Sequence, residues 1–277
     1  MRILVGVSRM VSLLTYSLWV LFVAYTKFQR VDKKEQGRMI KEYNRRILAM
    51  AGVKTAYTGS LPKSMLEYGL TEEAPGEIIV SNHISWVDIF SLDSAVASRF
   101  VAKAEIANWP IFGKIAQAIG TLFINRSSKR AILQINTDIQ EALQRKEVVA
   151  LFAEGTTTFG NSLLPLKSNF LAPAVKAGAV VQPMVLVYTS EGVPTTKVAF
   201  CGDVTLMGSL WNVVTTKDVV ATAHFLEPID TKGLDRHQVG KICEERMREE
   251  LRRVWGDRFL EHDPNEANAL SKAIGHS

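Results

Sequence analysis

The chain has 277 residues, 47% hydrophobic and 22% charged, a globular composition that excludes wholesale disorder and at roughly 150 residues per domain holds one or two domains. Its two cysteines, Cys201 and Cys243, can build no disulfide framework and lack the spacing of a zinc site, so a reducing compartment is expected, with no metal and no cofactor. A mean hydropathy of +0.06 excludes a multi-span membrane protein, while a net charge of +5 points to an anionic partner: nucleic acid, membrane or acidic substrate.

Between Arg9 and Lys27 lie seventeen uncharged residues. As a helix they measure about 26 Å, a little short of the hydrocarbon core of a bilayer. The run is read as a membrane anchor, spanning or dipping into one leaflet. A buried core helix and a cleaved signal peptide are the alternatives, and no small-x-small site follows Ala24 to favour cleavage. Residues 27–46 carry eight Lys or Arg (27, 30, 33, 34, 38, 41, 45, 46) against Asp32, Glu35 and Glu42, a net of +5. Met39, Ile40, Tyr43 and Ile47 recur at helical spacing, so an amphipathic helix with a basic face is expected beside the anchor. These two segments make an N-terminal unit of residues 1–52, followed by a domain of residues 53–277.

From Val53 onward short apolar runs alternate with longer amphipathic ones. Strands are expected at 77–80, 100–102, 121–124, 148–152, 180–187, 197–200 and 219–225, and helices at 85–97, 111–119, 129–144, 170–177 and 236–254. The fold class is therefore α/β, a mixed but largely parallel sheet flanked by helices and preceded by the N-terminal helical segment.

Of the five histidines, His83 stands out: it comes just after the apolar run Ile78-Ile79-Val80, in Ser81-Asn82-His83-Ile84-Ser85-Trp86-Val87-Asp88 at the carboxyl end of an expected strand. Ligand sites of α/β sheets gather at that edge. In a continuous helix five residues would set His83 and Asp88 about 140° apart, so they meet only if His83 lies in the loop before the helix. Ser85 as N-cap, with Asp88 at N3 of a capping box, would give that arrangement. Asp88 could then be no more than a cap. As a pair, a carboxylate accepting from imidazole Nδ1 fixes the tautomer and leaves Nε2 as a general base. No G-x-S-x-G elbow supplies a serine nucleophile.

Further stretches follow in order: Phe100-Val101-Ala102-Lys103-Ala104-Glu105 leading to Trp109-Pro110-Ile111-Phe112-Gly113, then Gly120-Thr121-Leu122-Phe123-Ile124-Asn125-Arg126, then Phe152-Ala153-Glu154-Gly155-Thr156-Thr157-Thr158, then Val181-Gln182-Pro183-Met184. With His83-x4-Asp88 this series resembles the four blocks of the glycerophospholipid acyltransferase family of bacterial lysophosphatidate acyltransferases, over roughly residues 75 to 190. The resemblance implies that His83 is the general base and Asp88 its orienting carboxylate. It implies an acceptor hydroxyl attacking an acyl thioester directly, with acyl-CoA or acyl carrier protein as donor and a lysolipid as acceptor. Asn125 and Arg126, with Glu154, Gly155, Thr156 and Thr157, are implied to bind the acceptor head group. The implied location is the inner membrane, with the catalytic domain on its cytoplasmic face.

The family's third block usually reads Phe-Pro-Glu-Gly-Thr-Arg, whereas Ala153 and Thr157 stand here in place of the Pro and the Arg. Threonine cannot supply the lost guanidinium fork. This form, followed by Leu164-Pro165-Leu166-Lys167-Ser168, looks like lyso-ornithine-lipid acyltransferases, unless Lys103 or Lys167 supplies the charge. Lysophosphatidate and lyso-ornithine lipid both stay open as acceptors. A non-catalytic membrane lipid-binding protein is the reading from another class. The basic charge is local: residues 1–46 carry +7 and the remaining 231 carry −2. An anionic membrane surface is thus the expected partner, and nucleic acid is not.

Overall fold

The apolar N-terminal run folds into a single helix, α1 (Arg2–Thr26), in the computed structural model of the protein, which describes residues 2–62, 64, 75–125 and 128–261. Leu13, Ser17, Val20 and Ala24 form a buried stripe at helical spacing. Gly6 lets α1 come close to α7 (Leu206–Thr215): a Cβ there would lie 2.8 Å from the Thr215 methyl. Arg9 donates to Val214 O at 2.7 Å, satisfying a carbonyl at the end of α7. The opposite face of α1 is also apolar but uncovered: Leu4, Val7, Val11, Leu14, Leu18, Phe22 and Tyr25 are all exposed.

The basic segment is not one helix from Lys27. A 3-10 turn at Phe28–Arg30 precedes α2 (Lys33–Ala51), because Asp32 adopts an extended conformation and caps the helix by accepting from Glu35 N at 2.8 Å. Lys41 also leaves the expected basic face: it is buried, and desolvation, with Arg45 adding to it, brings its pKa down to about 8. α2 packs on α3 (Val87–Ala95) and on β1 (Val53–Gly59), with Ile47, Leu48 and Ala51 in one cluster with Val53, Ile84 and Val87.

The sheet has the order β1-β8-β6-β2-β5-β3-β4, built from β1, β2 (Glu77–Ser81), β3 (Arg99–Lys103), β4 (Leu122–Ile124), β5 (Val148–Phe152), β6 (Val180–Ser190) and β8 (Val219–Phe225). β7 (Val193–Pro194) turns back on β6. β2, β3, β4, β5 and β6 run parallel, whereas β8 is antiparallel to β6 and carries β1 parallel to itself, so the sheet is mixed as expected. Alternation sorts its faces. Ile78 and Val80 pack beneath α5 (Lys129–Gln144), α6 (Ala172–Ala177) and α8 (Arg236–Trp255), while Ile79 packs with Leu92 and Ala95 of α3 on the other side.

Two strands, β1 and the short β7, are not among those expected; the other expected elements occur within three residues, with three further differences of substance. Residues 197–200 are no strand: Val198 and Ala199 are buried, but Phe200 N donates to Ile84 O at 2.8 Å, so this backbone pairs with a loop instead of a ladder. Helix 170–177 starts as a 3-10 turn at Ser168–Leu171, and α6 begins where Pro173 is tolerated, at the helix start. α7 had no counterpart in the apolar pattern: Gly208, Asn212, Val213, Val214 and Thr215 are weak helix formers. Thr205 nucleates it by capping Gly208 N at 3.1 Å. α4 (Phe112–Ala118) follows a 3-10 turn at Ala104–Asn108.

Candidate active site

The chain leaves β2 at Ser81, and Asn82 prolongs the sheet with its side chain. Its amide donates to Leu186 O at 3.0 Å and accepts from Leu186 N at 2.7 Å, replacing one backbone pair of the β2–β6 ladder. The main chain is thereby free to turn, and His83 lies in the loop before α3. His83 Nδ1 is 2.7 Å from Asp88 Oδ2. Since the carboxylate can only accept, Nδ1 carries the proton and Nε2 is left to meet a substrate. The imidazole is stacked on Phe152 at 4.1 Å and 9°, and about one-fifth of the side chain is exposed.

Asp88 is completely buried. Its Oδ2 also accepts from Ile84 N at 2.6 Å and Ser85 N at 2.9 Å, and Oδ1 accepts from the Tyr188 hydroxyl at 2.7 Å. Ser85 does not cap the helix as expected. Asp88 N donates to the Ser85 carbonyl at 3.1 Å, α3 begins at Val87, and only the half of the capping box made by Asp88 exists. One carboxylate therefore holds the imidazole and caps the loop.

The rest of the loop is tied as closely. Glu154 sits just past β5, buried, with Oε1 accepting from His83 N at 2.8 Å and Oε2 from Leu164 N at 2.9 Å. Burial pushes its pKa up to about 8 against the pull of these two donors. Thr158 N donates to His83 O at 2.8 Å, and Phe200 N to Ile84 O. All six backbone polar groups from His83 to Ser85 thus have partners, which fixes the course of the loop. On the far side of Glu154, Leu166 N donates to Glu244 at 3.0 Å, and Arg248 of α8 bonds both Glu244 and Leu163 O.

The other expected ligands are spread along the same edge. Gly155, at φ 81°, makes the turn after β5 and Thr156 follows it, half-buried. Thr157 donates to Phe200 O at 2.5 Å, so its hydroxyl ties down the 195–201 segment. Lys167 is exposed, with its backbone bound to Ala153 O. Lys103 and Asn125, both exposed, end β3 and β4, two and three strands from β2, which at strand spacing is about 10 and 14 Å. Arg126 lies outside the described residues. Asn82, Phe152 and Tyr188 were not among the expected site residues. Asn82 and Phe152 adjoin motif positions that were. Nothing local marks Tyr188, 100 residues from its partner.

A family model described as acyltransferase matches residues 67–187. A 1-acyl-sn-glycerol-3-phosphate acyltransferase of Neisseria gonorrhoeae is 38% identical over 178 residues, covering 64% of this chain and 70% of that protein. The chain belongs to the acyltransferase family. This acyltransferase is also 36% identical over 184 residues to a lyso-ornithine lipid O-acyltransferase of Pseudomonas aeruginosa, covering 66% of this chain and 71% of that one. It shares its fold with the crystal structure of the 1-acyl-sn-glycerophosphate (LPA) acyltransferase from Thermotoga maritima: TM-score 0.67 at 22% identity, covering 92% of this chain and 98% of the other.

Proposed function

We propose that the protein moves a fatty acyl chain from acyl-CoA or acyl carrier protein to the free hydroxyl of a lysolipid, with His83 as general base. The observation that carries this reading is the His83–Asp88 pair, held in a loop whose backbone groups from His83 to Ser85 are all bonded. Nε2 takes the proton of the acceptor hydroxyl as its oxygen attacks the thioester carbonyl. Asp88 stabilises the imidazolium that results. Collapse of the tetrahedral intermediate breaks the C–S bond, and the departing thiolate takes the proton back from Nε2, leaving ester and thiol. Glu154 acts on this chemistry through the backbone, by fixing His83.

The acceptor is 1-acylglycerol-3-phosphate, giving phosphatidate. A second reading, lyso-ornithine lipid, is favoured by one observation: Thr157 offers no cation where the resemblance implies an arginine, and its hydroxyl is taken by Phe200 O. Labelled acyl transfer to the two acceptors side by side tests both, and a lipid-binding protein without turnover would label neither. Thr157→Arg is expected to raise the kcat/KM ratio toward the phosphate acceptor about tenfold, the worth of one charge-assisted hydrogen bond. An unchanged ratio would remove Thr157 from acceptor choice.

The same reading places α1 within the cytoplasmic leaflet of the inner membrane, parallel to the bilayer. One face of α1 is docked on α2, α4 and α7, so lipid is left to cover the other. Arg38 pairs with Glu35 and Arg46 with Glu42, whereas Lys27, Arg30 and Lys34 form no ion pair among the described residues. These three sit at the α1–α2 turn, where anionic head groups would meet them. The double variant Leu18→Asp/Phe22→Asp is expected to lose sedimentation with phosphatidylglycerol vesicles at least about tenfold, since each apolar side chain contributes about 2 kcal/mol when covered. Retained sedimentation would move the membrane contact elsewhere.

A further inference from the structure

Asp88 has two oxygens in very different hands. Oδ2 accepts from the imidazole and two backbone N–H groups, all from its own loop, whereas the bond recorded for Oδ1 comes from the Tyr188 hydroxyl, on a strand 100 residues away. Tyr188 continues the alternation of Met184 and Leu186 on the same face of β6, and it is 1% exposed. A phenylalanine would fill such a position at no polar cost, while a hydroxyl that dry is costly unless bonded. Its height over the loop is set twice: by the register of β6 on β2, with Ser81 opposite Met184, and by the paired Asn82–Leu186 hydrogen bonds two residues before it.

We propose that Tyr188 is a positioning residue that sets the basicity of His83 through Asp88. The proposal rests on the reading of His83 as general base. A donor on Oδ1 draws carboxylate charge away from Oδ2, weakens the hold of Asp88 on an imidazolium, and keeps His83 neutral at a lower pH. Burial, reinforced by the Asp88 charge, holds the phenol well above its ordinary pKa, so it remains a donor throughout the working range. Among the described residues, the other ionisable groups recorded against the loop are Glu154, which accepts from His83 N, and Arg248 of α8 behind it. Both are unchanged in every variant below and cancel in the comparison.

The test is the pH profile of kcat/KM for the full-length protein, using oleoyl-CoA and whichever of lysophosphatidate and lyso-ornithine lipid it turns over faster. Tyr188→Phe keeps the ring and removes the donor, and its acid limb is expected to move up by about half a unit to one unit. A fluorotyrosine incorporated at position 188 is a stronger donor, and its acid limb is expected to move down. Opposite shifts from one position cannot come from a generally loosened fold, and melting curves measured alongside identify a variant that fails to fold. If Tyr188→Phe fails in that way, the fluorotyrosine protein decides alone. Unshifted limbs with activity lost in His83→Ala would overturn the role of Tyr188 and spare that of His83. Activity retained in His83→Ala, or no transfer to either acceptor, would overturn both.

Discussion

His83→Ala is expected to lower acyl transfer by about 10²–10⁴-fold, the usual contribution of a general base, and to leave the fold intact. Removing the imidazole empties a site that is already partly open to solvent, and it leaves Asp88 with three of its four donors: Ile84 N, Ser85 N and the Tyr188 hydroxyl. The loop therefore keeps its backbone partners, and melting should shift little. The checks are initial rates with saturating acyl-CoA and a melting curve on the same preparation. Wild-type rates would exclude His83 as the base. A collapse in melting temperature would mean that the imidazole holds the loop as much as the loop holds it.

Glu154→Leu is expected to act in the opposite manner, losing stability and activity together. The substitution fills similar volume but leaves His83 N and Leu164 N buried without an acceptor. Each orphaned donor costs about 1–3 kcal/mol, so a loss of about 2–6 kcal/mol is expected in denaturant unfolding. Activity should fall about 10²-fold, as it does when a reacting group moves by about an ångström. Glu154→Gln supplies the contrast. Its one carbonyl oxygen can serve one of the two donors, so it should recover part of the stability and part of kcat, with KM for the acceptor unchanged. A head-group ligand would behave differently, raising KM in both variants while melting stayed at the wild-type value. That outcome would return Glu154 to the substrate.

Much of this was legible in the chain because it is written locally. The unbroken apolar run Ile78-Ile79-Val80, which suits a strand buried on both faces, and the five-residue step from His83 to Asp88 are properties of neighbours, and each constrains the backbone within a few residues. The same holds for the capping signal near Ser85, although only Asp88 honours it: the carboxylate reaches back over the loop, and the serine hydroxyl is left out of the helix start. Residues 197–200 show the limit of local reading. Their apolar side chains are buried as a strand's would be, but the hydrogen-bond partner that decides between strand and loop is Ile84, more than 100 residues away.

By itself, then, the sequence determined an α/β sheet edge carrying a histidine and an aspartate, the acyltransferase blocks around them, and a basic, apolar N-terminus attached to a nearly neutral domain. Only the tertiary structure decided what holds the pair in place. Glu154 stands 71 residues from His83, and Tyr188 stands 100 from Asp88. Such bonds follow from the order in which β2, β5 and β6 lie side by side, and strand order is a property of the whole chain's packing that no short window contains. The same is true of α1, whose apolarity is local while the stripe that docks on α2, α4 and α7 is selected by those helices.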